Sequence, residues 1–237
     1  MTDYFRPLVQ IGPARPDTAV SLAGGWGWFT HAEVLSRSTP PRVVPAADIP
    51  ASVMARLTAP RPAMAGLTLD RPRIMGILNT TPDSFSDGGQ HNAVPDALRV
   101  AQEMVAAGAD ILDIGGESTR PGADFVPVSE EITRTAPVIA ALRGAGLHTP
   151  ISIDTRKAAV AEAAVSAGAN LVNDVSGFTF DPALGPLCQK LALPVCVMHA
   201  QGDPATMHLD PQYDNVLLDV FDALERQISM LEASGIP

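Results

Sequence analysis

From residue 73 onward, short apolar runs alternate with longer segments rich in Ala, Leu and Val. The apolar runs have the length of β-strands and cover residues 74–78, 111–114, 151–153, 171–175 and 195–198. The intervening segments have helical composition and cover residues 93–107, 129–143, 158–167, 183–191 and 215–233. Strict alternation of short, fully apolar strands with helices predicts an α/β protein whose parallel strands are covered by helices.

Each of these runs carries a polar side chain at or next to its carboxyl end. The residues concerned are Asn79, Asp113, Asp154, Asn173 with Asp174, and His199. In a (β/α)₈ barrel, the TIM barrel, all carboxyl ends of the strands meet at the ligand-binding face, whereas a doubly wound sheet gathers only those near its switch point. The pattern therefore favours a barrel. Five βα units are visible and a barrel needs eight, so we expect an incomplete barrel in this chain.

The βα units contain an internal repeat. The sequence of residues 107–113, AGADILD, resembles that of residues 167–173, AGANLVN, two units later. Each copy combines a helix stop, a tight loop and a strand with a polar residue near its end. The repeat supports a regular succession of similar βα units.

Residues 1–70 differ in composition from the rest. Prolines recur throughout this stretch and forbid long helices. We predict a Pro-rich extension of short strands at 26–35, a short helix at 50–57 and a hairpin turn at 67–72. The predicted organisation is therefore an extension over residues 1–70, to which we assign no chemistry, and a partial barrel domain over residues 71–237.

The charge balance restricts the partners. The chain of 237 residues carries a net charge of −10 with a pI near 4.8, which argues against nucleic acid and anionic membrane surfaces. No export signal and no run of 18 apolar residues is visible, so we expect a cytoplasmic protein that is not in a membrane. Cys188 and Cys196 show no metal or redox spacing, and we expect both to be packing thiols.

The loop after the first predicted strand, TPDSFSDGG, carries the first candidate site. Asn79 offers an amide oxygen suited to Mg²⁺, and Asp83 and Asp87 follow within the loop. Phe85 could cover an aromatic ligand. The alternative is that the acids form turns and that Phe85 is a packing anchor.

The second candidate site is GGESTRPG at residues 115–122. Its glycines allow close backbone approach, its hydroxyls can donate, and Arg120 supplies a planar charged fork. This set suits a phosphate or pyrophosphate. The alternative is a plain glycine-rich loop with a solvated arginine.

A third candidate site combines Asp154 with Asn173, which can read the donor–acceptor edge of a heterocycle. The alternative is that Asp154 caps the following helix. Asp113 fits the same scheme less definitely and could instead orient the second loop. For Met198 and His199, core or loop packing is the commoner use of such residues.

The motifs MGILNTTPDSFSDGG, ADILDIGGESTRPGA, ISIDTRK, ANLVNDVSG and LPVCVMHAQGDPATM resemble, in order and spacing, those of the dihydropteroate synthase family. That family folds as a TIM barrel. It joins para-aminobenzoate to 6-hydroxymethyl-7,8-dihydropterin pyrophosphate, releasing pyrophosphate and forming 7,8-dihydropteroate for folate. The resemblance covers residues 66–237 and implies an enzyme with small-molecule substrates and Mg²⁺ as cofactor.

The resemblance also implies roles for single residues. Asn79 resembles the ligand of the metal and pyrophosphate, Thr119 and Arg120 resemble residues that engage the pyrophosphate, and Asp154 and Asn173 resemble the pair that reads the pterin. Further substrate contacts are implied for Asp83, Phe85 and Asp87 in a closing loop, for Pro121 in the aminobenzoate pocket, and for Met198 against the pterin ring. His199 matches a family position without an assigned role.

The implied mechanism is a dissociative substitution without a covalent enzyme intermediate. Asp154 would stabilise the developing cation of the pterin methylene, and Arg120 would stabilise the leaving group. These two residues are therefore the expected catalytic pair. Loop closure would position the aniline nitrogen of para-aminobenzoate, which is a weak nucleophile, and would exclude water.

In the family, an Asp-Pro-Gly-type strand end, a Ser-Arg-Lys loop and an Arg-x-His anion site follow the last motif seen here. We expect a full-length parent to be active and this chain alone to be inactive. Family members are typically homodimers, an assembly that the missing later helices make uncertain here. The alternatives are a pterin-binding methyltransferase-type domain, which shares the barrel and the pterin pocket, and a non-catalytic truncated protein that binds ligands or a partner.

Overall fold

A computed structural model describes residues 3–81, 93–120, 123–202, 206 and 210–236. The chain divides into two compact units, Met1–Pro72 and Arg73–Pro237. Within the described ranges, no helix is long and apolar enough to cross a membrane.

The first unit is built from short antiparallel strands. Its strands are β1 (Tyr4–Pro7), β2 (Val20–Ser21), β3 (Trp28–Phe29), β4 (His31–Leu35) and β5 (Arg42–Pro45), followed by a 3₁₀ turn (Ala46–Asp48) and α1 (Ala51–Thr58). Strands β1, β4 and β5 form one sheet, and β2 pairs with β3. A small apolar core centres on the fully buried Phe29. The strands predicted at 26–35 and the helix predicted at 50–57 are confirmed.

The chain reversal predicted at 67–72 lies earlier. Met64 and Leu67 form an antiparallel bridge, and the two residues between them, Ala65 and Gly66, both have positive φ angles of 50° and 84°. Two consecutive left-handed residues are the signature of a tight two-residue turn. The glycine, rather than the downstream proline, therefore sets the position of the reversal.

Among its described residues, the second unit contains five parallel strands and five helices. The strands are β6 (Met75–Asn79), β7 (Ile111–Gly115), β8 (Ile151–Asp154), β9 (Leu171–Asp174) and β10 (Val195–Val197). The helices are α2 (Ala93–Ala106), α3 (Val128–Gly144), α4 (Ala158–Ala167), α5 (Leu184–Leu191) and α6 (Val216–Ala233). The sheet order β10-β9-β8-β7-β6 follows the chain without a reversal. A doubly wound sheet would show a reversal at its switch point, so the order confirms five successive strands of a barrel.

The strand register separates two faces of this sheet. Residues paired in register point to the same side, and successive residues alternate. One side, the helix face, carries the apolar core residues Leu78, Leu112, Ile114, Ile151, Ile153 and Val172, which pack against the helices. The other side, the inner face, carries Ile77, Asp113, Ser152 and Leu171 in one row, and Asn79, Gly115, Asp154, Asn173 and Cys196 in the next row toward the carboxyl ends.

The predicted helices cover the helix face of the sheet, whereas side chains of the outer strands are exposed on the inner face. Ile77 is 62% exposed, and Cys196 is exposed although Cys188 is buried as predicted. Both exposed residues point to the inner face. The prediction that Cys196 is a packing thiol is therefore wrong, because an apolar run does not reveal which of its faces is covered.

The repeated AGAD and AGAN segments make equivalent contacts. Asp110 Oδ2 accepts a hydrogen bond from the Ile74 amide at 2.9 Å, just before β6 begins. Asn170 Oδ1 accepts a hydrogen bond from the Ile151 amide at 3.1 Å, at the first residue of β8. Each acceptor also binds an arginine, Arg73 at 3.0 Å and Arg143 at 2.6 Å, respectively. The sequence repeat is thus a structural repeat that fastens the start of the preceding strand.

Candidate functional site

Three of the predicted site residues lie in one register row at the carboxyl ends of the strands. Asn79 pairs with Gly115, Gly115 with Asp154, and Asp154 with Asn173. A Cβ atom on Gly115 would lie 3.7 Å from Asn79 Oδ1 and 3.5 Å from Asp154 Oδ2. The missing side chain of Gly115 therefore leaves a gap that an amide oxygen and a carboxylate oxygen border from either side. A ligand can approach the backbone closely at this point.

The environment of Asp154 is strongly acidic. Burial raises the pKa of its carboxyl group to about 7, and the negative charges of Asp113, Glu131, Asp174 and Glu117 add to the rise. A carboxyl group with this pKa exchanges its proton near neutral pH, the range that acid–base and charge-stabilising roles require. Perturbation by burial together with neighbouring charge is typical of functional sites.

Asn173 connects this row to the row beneath it. Its Nδ2 donates a hydrogen bond to Asp113 Oδ2 at 3.2 Å. Asp113 is buried, and burial raises its pKa, while Asn173 and the nearby hydroxyl of Ser152 oppose the rise. Asp113 Oδ1 and Ser152 Oγ nevertheless have no hydrogen bond of ordinary geometry. The Asn173 amide is thus oriented by Asp113, which leaves its carbonyl oxygen available as an acceptor.

The alternative role of Asp154 as a helix cap is wrong. Helix α4 begins at Ala158 without a side-chain cap from the preceding residue. The amide of Ala158 instead donates to Asp181 Oδ2 at 2.8 Å. Because Asp181, in the loop after β9, satisfies this amide, the carboxylate of Asp154 is not committed to capping α4.

Asp174 has a structural role. Its buried carboxylate accepts hydrogen bonds from the amides of Ser176 and Phe178, each at 2.7 Å, and from the Ser176 hydroxyl at 2.9 Å. Phe178 has a φ angle of 65°, a conformation that non-glycine residues adopt rarely. Asp174 therefore holds the strained loop after β9 and is not available for a ligand.

The loop after β7 is anchored by ionic contacts that sequence reasoning missed. Glu117, Glu131 and Lys157 are buried charged residues that contact one another through the Lys157 ammonium group. Thr119 is half-buried and Arg120 is exposed in the same loop. One sequence signal could have pointed to these contacts. Glu117 lies in the GGESTRPG motif and Lys157 in the ISIDTRK motif, each a few residues after the end of a strand.

Among the described residues, hydrogen bonds from His199 and Gln201 hold the loop after β10. His199 Nε2 lies 3.1 Å from the Tyr213 hydroxyl, and Gln201 exchanges two hydrogen bonds with the backbone of Gln212. These contacts give His199 a structural role. Met198, at 37% exposure, remains accessible at the end of β10.

Asp83, Phe85, Asp87 and Pro121 lie outside the described residues, so their predicted roles stay predictions. The residues that the structure does describe contain no cluster of three His, Cys, Asp or Glu side chains that could hold a metal ion. Near Gly115 the described residues therefore offer oxygen atoms of Asn79 and Asp154 but no cage of three acidic ligands. Mg²⁺ commonly binds in this manner, completing its shell with substrate phosphates and water.

The family model of the pterin binding enzymes matches residues 75–237. The dihydropteroate synthase of Synechocystis sp. is 45% identical over 160 residues, covering 68% of this chain and 55% of that protein. The dihydropteroate synthase of Escherichia coli K12 is also 45% identical over 160 residues, covering 68% of this chain and 56% of that protein. The chain thus spans about half the length of these curated relatives.

Solved structures give the same result. A Yersinia pestis dihydropteroate synthase with a sulfonamide drug complex matches with a TM-score of 0.66 and 47% identity, over 74% of this chain and 64% of that chain. The Xanthomonas albilineans dihydropteroate synthase in complex with 7,8-dihydropteroate matches with a TM-score of 0.62 and 43% identity, over 72% and 59%. From the match over most of its length, this chain belongs to the family of pterin-binding enzymes, where the relatives it resembles are dihydropteroate synthases.

Proposed function

We propose that this chain supplies the pterin-binding and pyrophosphate-binding part of a dihydropteroate synthase. The observation that carries the proposal is the single register row of Asn79, Asp154 and Asn173 at the carboxyl ends of parallel strands. Related proteins support it, since solved synthases contain 7,8-dihydropteroate and 4-aminobenzoic acid. The reaction would condense 6-hydroxymethyl-7,8-dihydropterin pyrophosphate with para-aminobenzoate, forming 7,8-dihydropteroate and pyrophosphate.

Asp154 and Asn173 would bind the pterin. An amino-pyrimidine edge offers N–H donors beside an acceptor, and a carboxylate beside a carboxamide is the complementary set. The hydrogen bond from Asn173 to Asp113 fixes the orientation of the amide. Binding would thus depend on a side chain that is already held before the ligand arrives.

Arg120 and Thr119 would bind the pyrophosphate. Arg120 is exposed, and an arginine fork matches two phosphate oxygens at once. Asn79 would hold Mg²⁺, which when bound neutralises negative charge on phosphate oxygens. The acidic surroundings of Asp154 are unfavourable for a polyanion, so the cationic side chain on the neighbouring loop is essential to the proposal.

The catalytic roles would fall to Asp154 and Arg120. As the bond to pyrophosphate breaks, positive charge develops on the pterin methylene and spreads into the electron-rich ring. The ionised carboxylate of Asp154 stabilises that charge, while Arg120 stabilises the negative charge of the leaving group. Since the pKa of Asp154 is about 7, the ionised fraction, and with it the rate, rises as pH increases through neutrality.

The remaining predictions extend the proposal. Asp83, Phe85, Asp87 and Pro121 are proposed to contact para-aminobenzoate, and Met198 is proposed to pack on the pterin ring. A cytoplasmic location and a homodimer are likewise proposals.

The test is binding of the pterin pyrophosphate to the 237-residue chain in the presence of Mg²⁺, measured by calorimetry. We expect Arg120→Ala to weaken binding about 10–100-fold, because it removes charge-assisted hydrogen bonds. Arg99→Ala, which removes an exposed arginine on α2, serves as the control. Wild-type affinity in Arg120→Ala would contradict the proposed pyrophosphate site.

A second readout separates the alternatives. Pyrophosphate release that depends on para-aminobenzoate would establish the synthase reaction, and we expect binding without turnover from the isolated chain. Equal affinity for the pterin alcohol and its pyrophosphate ester would favour the methyltransferase-type alternative, which does not need a pyrophosphate site. Failure to bind any pterin would contradict the proposal altogether.

A further inference from the structure

The loop that follows β7 is closed at both ends by one carboxylate. Glu117 Oε1 accepts a hydrogen bond at 3.0 Å from the amide of Val126, nine positions further along the chain. The side chain of Glu117 is only 5% exposed. A buried acceptor that bridges the beginning and the end of a loop converts an open connection into a closed one. Thr119 and Arg120 lie within this closed stretch.

Two cations hold the carboxylate in place. Arg156 Nε and Lys157 Nζ each lie 3.2 Å from Glu117 Oε2. Burial would raise the pKa of Glu117, but the Val126 amide and the two cations outweigh it, and the pKa is lowered. The carboxyl group of Glu117 is therefore ionised at neutral pH, and the neighbouring cations Arg156 and Lys157 compensate its negative charge.

Lys157 is the centre of the arrangement. Its ammonium group donates to the Val126 carbonyl and to Glu131 Oε2, each at 2.6 Å. Glu131 Oε1 accepts from Thr155 Oγ1 at 2.7 Å. Val126 is thus held through its amide by Glu117 and through its carbonyl by Lys157. The contacts join three elements, namely the β7 loop, helix α3 and the segment directly after Asp154.

This placement links the two halves of the proposed site. Thr155, Arg156 and Lys157 follow Asp154 without a gap, so the anchors of the β7 loop are continuous with the strand that carries the pterin-binding carboxylate. Arg156 also lies 4.1 Å from the centre of the Phe180 ring, which restricts its motion. Three buried charges cost free energy that an apolar cluster of similar shape would not, so packing alone does not require this network.

We propose that Glu117 is a positioning residue that fixes Arg120 for pyrophosphate binding through its contacts with Val126, Arg156 and Lys157. This inference rests on the proposed function. Glu117 does not contact the substrate itself; it restricts the conformations of the loop so that Arg120 reaches the anion without first being ordered.

The first experiment examines the loop without any ligand. Glu117→Gln keeps the shape of the side chain and an acceptor for Val126, but removes the charge that binds both cations. We expect hydrogen exchange at the Val126 amide to accelerate at least about tenfold. Glu103→Gln, which breaks an exposed ion pair on α2, is the matched control and leaves this amide unchanged. Unchanged exchange in Glu117→Gln would overturn the inference.

The second experiment measures binding of inorganic pyrophosphate with Mg²⁺. We expect Glu117→Gln to weaken binding about tenfold and to leave binding of the pterin alcohol unchanged. In the double variant with Arg120→Ala, the loss should be no larger than in Arg120→Ala alone, since Glu117 acts through Arg120. Additive losses, or an equal loss of pterin affinity, would reduce Glu117 to a general structural role and overturn the inference.

A milder substitution keeps the inference testable if the first variant fails to fold. If Glu117→Gln does not fold, Arg156→Gln removes one of the two cations and leaves Lys157 in contact with Glu117; the same exchange and binding measurements then apply. If the unsubstituted chain binds no pyrophosphate, the proposed function fails together with the inference. If the unsubstituted chain binds pyrophosphate and both variants bind it equally well, only the inference fails.

Discussion

The two faces of the parallel sheet have opposite chemistry although they belong to the same strands. On the helix face, Leu112 and Ile153 are fully buried in an apolar core. On the inner face, their direct neighbours Asp113, Ser152 and Asp154 bring carboxyl and hydroxyl groups together at low exposure. Along each strand, a side chain that stabilises the core therefore alternates with a side chain that can contact a ligand. Substitutions one position apart should have effects of opposite sign on the free energy of unfolding.

The largest effect is expected on the helix face. Ile153→Ala should lower the free energy of unfolding by about 2–5 kcal/mol, because it leaves a cavity in a fully packed core. Pterin affinity should remain unchanged under conditions where the variant is folded. Urea unfolding and calorimetry measure the two quantities, with Ile228→Ala, an exposed position on α6, as the control. A loss of pterin affinity in fully folded Ile153→Ala would contradict the conclusion that the helix face serves stability and the inner face serves binding.

The next largest effect on the free energy of unfolding is expected at Asp154, one residue further along β8. It has the opposite sign. The pKa of Asp154 is about 7 in the folded chain and 3.8 as a reference. The folded state therefore holds its proton more tightly, and stability falls as pH rises from about 4 to about 7. Asp154→Asn removes this penalty and should stabilise the chain by about 2–4 kcal/mol at pH 8 and very little at pH 4. Pterin binding should weaken in the same variant.

Unfolding curves at both pH values check this expectation. Asp124→Asn makes the same change of charge at an exposed position and serves as the matched control. A constant effect of Asp154→Asn across the pH range would mean that its carboxyl group is not perturbed by burial. That result would contradict the proposal that the Asp154 carboxylate lowers stability in exchange for its role in binding.

A smaller gain in the free energy of unfolding is expected from Ser152, which lies in the other row of the inner face. Ser152 Oγ is buried without a hydrogen bond of ordinary geometry. Ser152→Ala should therefore be neutral or stabilising by about 1 kcal/mol, since it removes an unpaired polar group. Thermal unfolding provides the measurement. A clear destabilisation would show that the hydroxyl contributes to holding Asp113, and would extend the functional part of the inner face by one row.

The smallest effect concerns the two cysteines. Cys196→Ser should change the free energy of unfolding by less than about 0.5 kcal/mol, because the residue is exposed on the inner face. The matched substitution Cys188→Ser places a hydroxyl in the apolar core and should cost about 1–3 kcal/mol. Urea unfolding of both variants measures the difference. Similar costs at the two positions would contradict the assignment of the faces.

The sequence was sufficient to predict the barrel strands and the position of three polar side chains at the carboxyl ends of these strands. Strand alternation is a local signal, and the carboxyl ends of successive parallel strands must lie together, so Asn79, Asp154 and Asn173 could be grouped without coordinates. The coverage of Cys196 could not be predicted, because it depends on which elements pack on each face.

The ionic network around Glu117 was missed for a different reason. Its ionic contacts span 26–40 positions in the sequence. Charged residues in loops are read as solvated unless a partner is known, and no local pattern identifies the partner. Asp174 illustrates the same limit, because its role became clear only from the strained backbone of Phe178 that it holds.

The fastening of strand starts by Asp110 and Asn170 has a consequence at the opposite end of the sheet. Each contact fixes where a strand begins relative to its neighbour, and the side chains of a strand alternate strictly between the faces. A slip of β7 by one residue against β6 would carry Asp113 among the helices and bring Leu112 to the inner face. Two short polar contacts at one edge thus determine, some five residues away, whether the sheet presents carboxylates or hydrocarbon to a ligand.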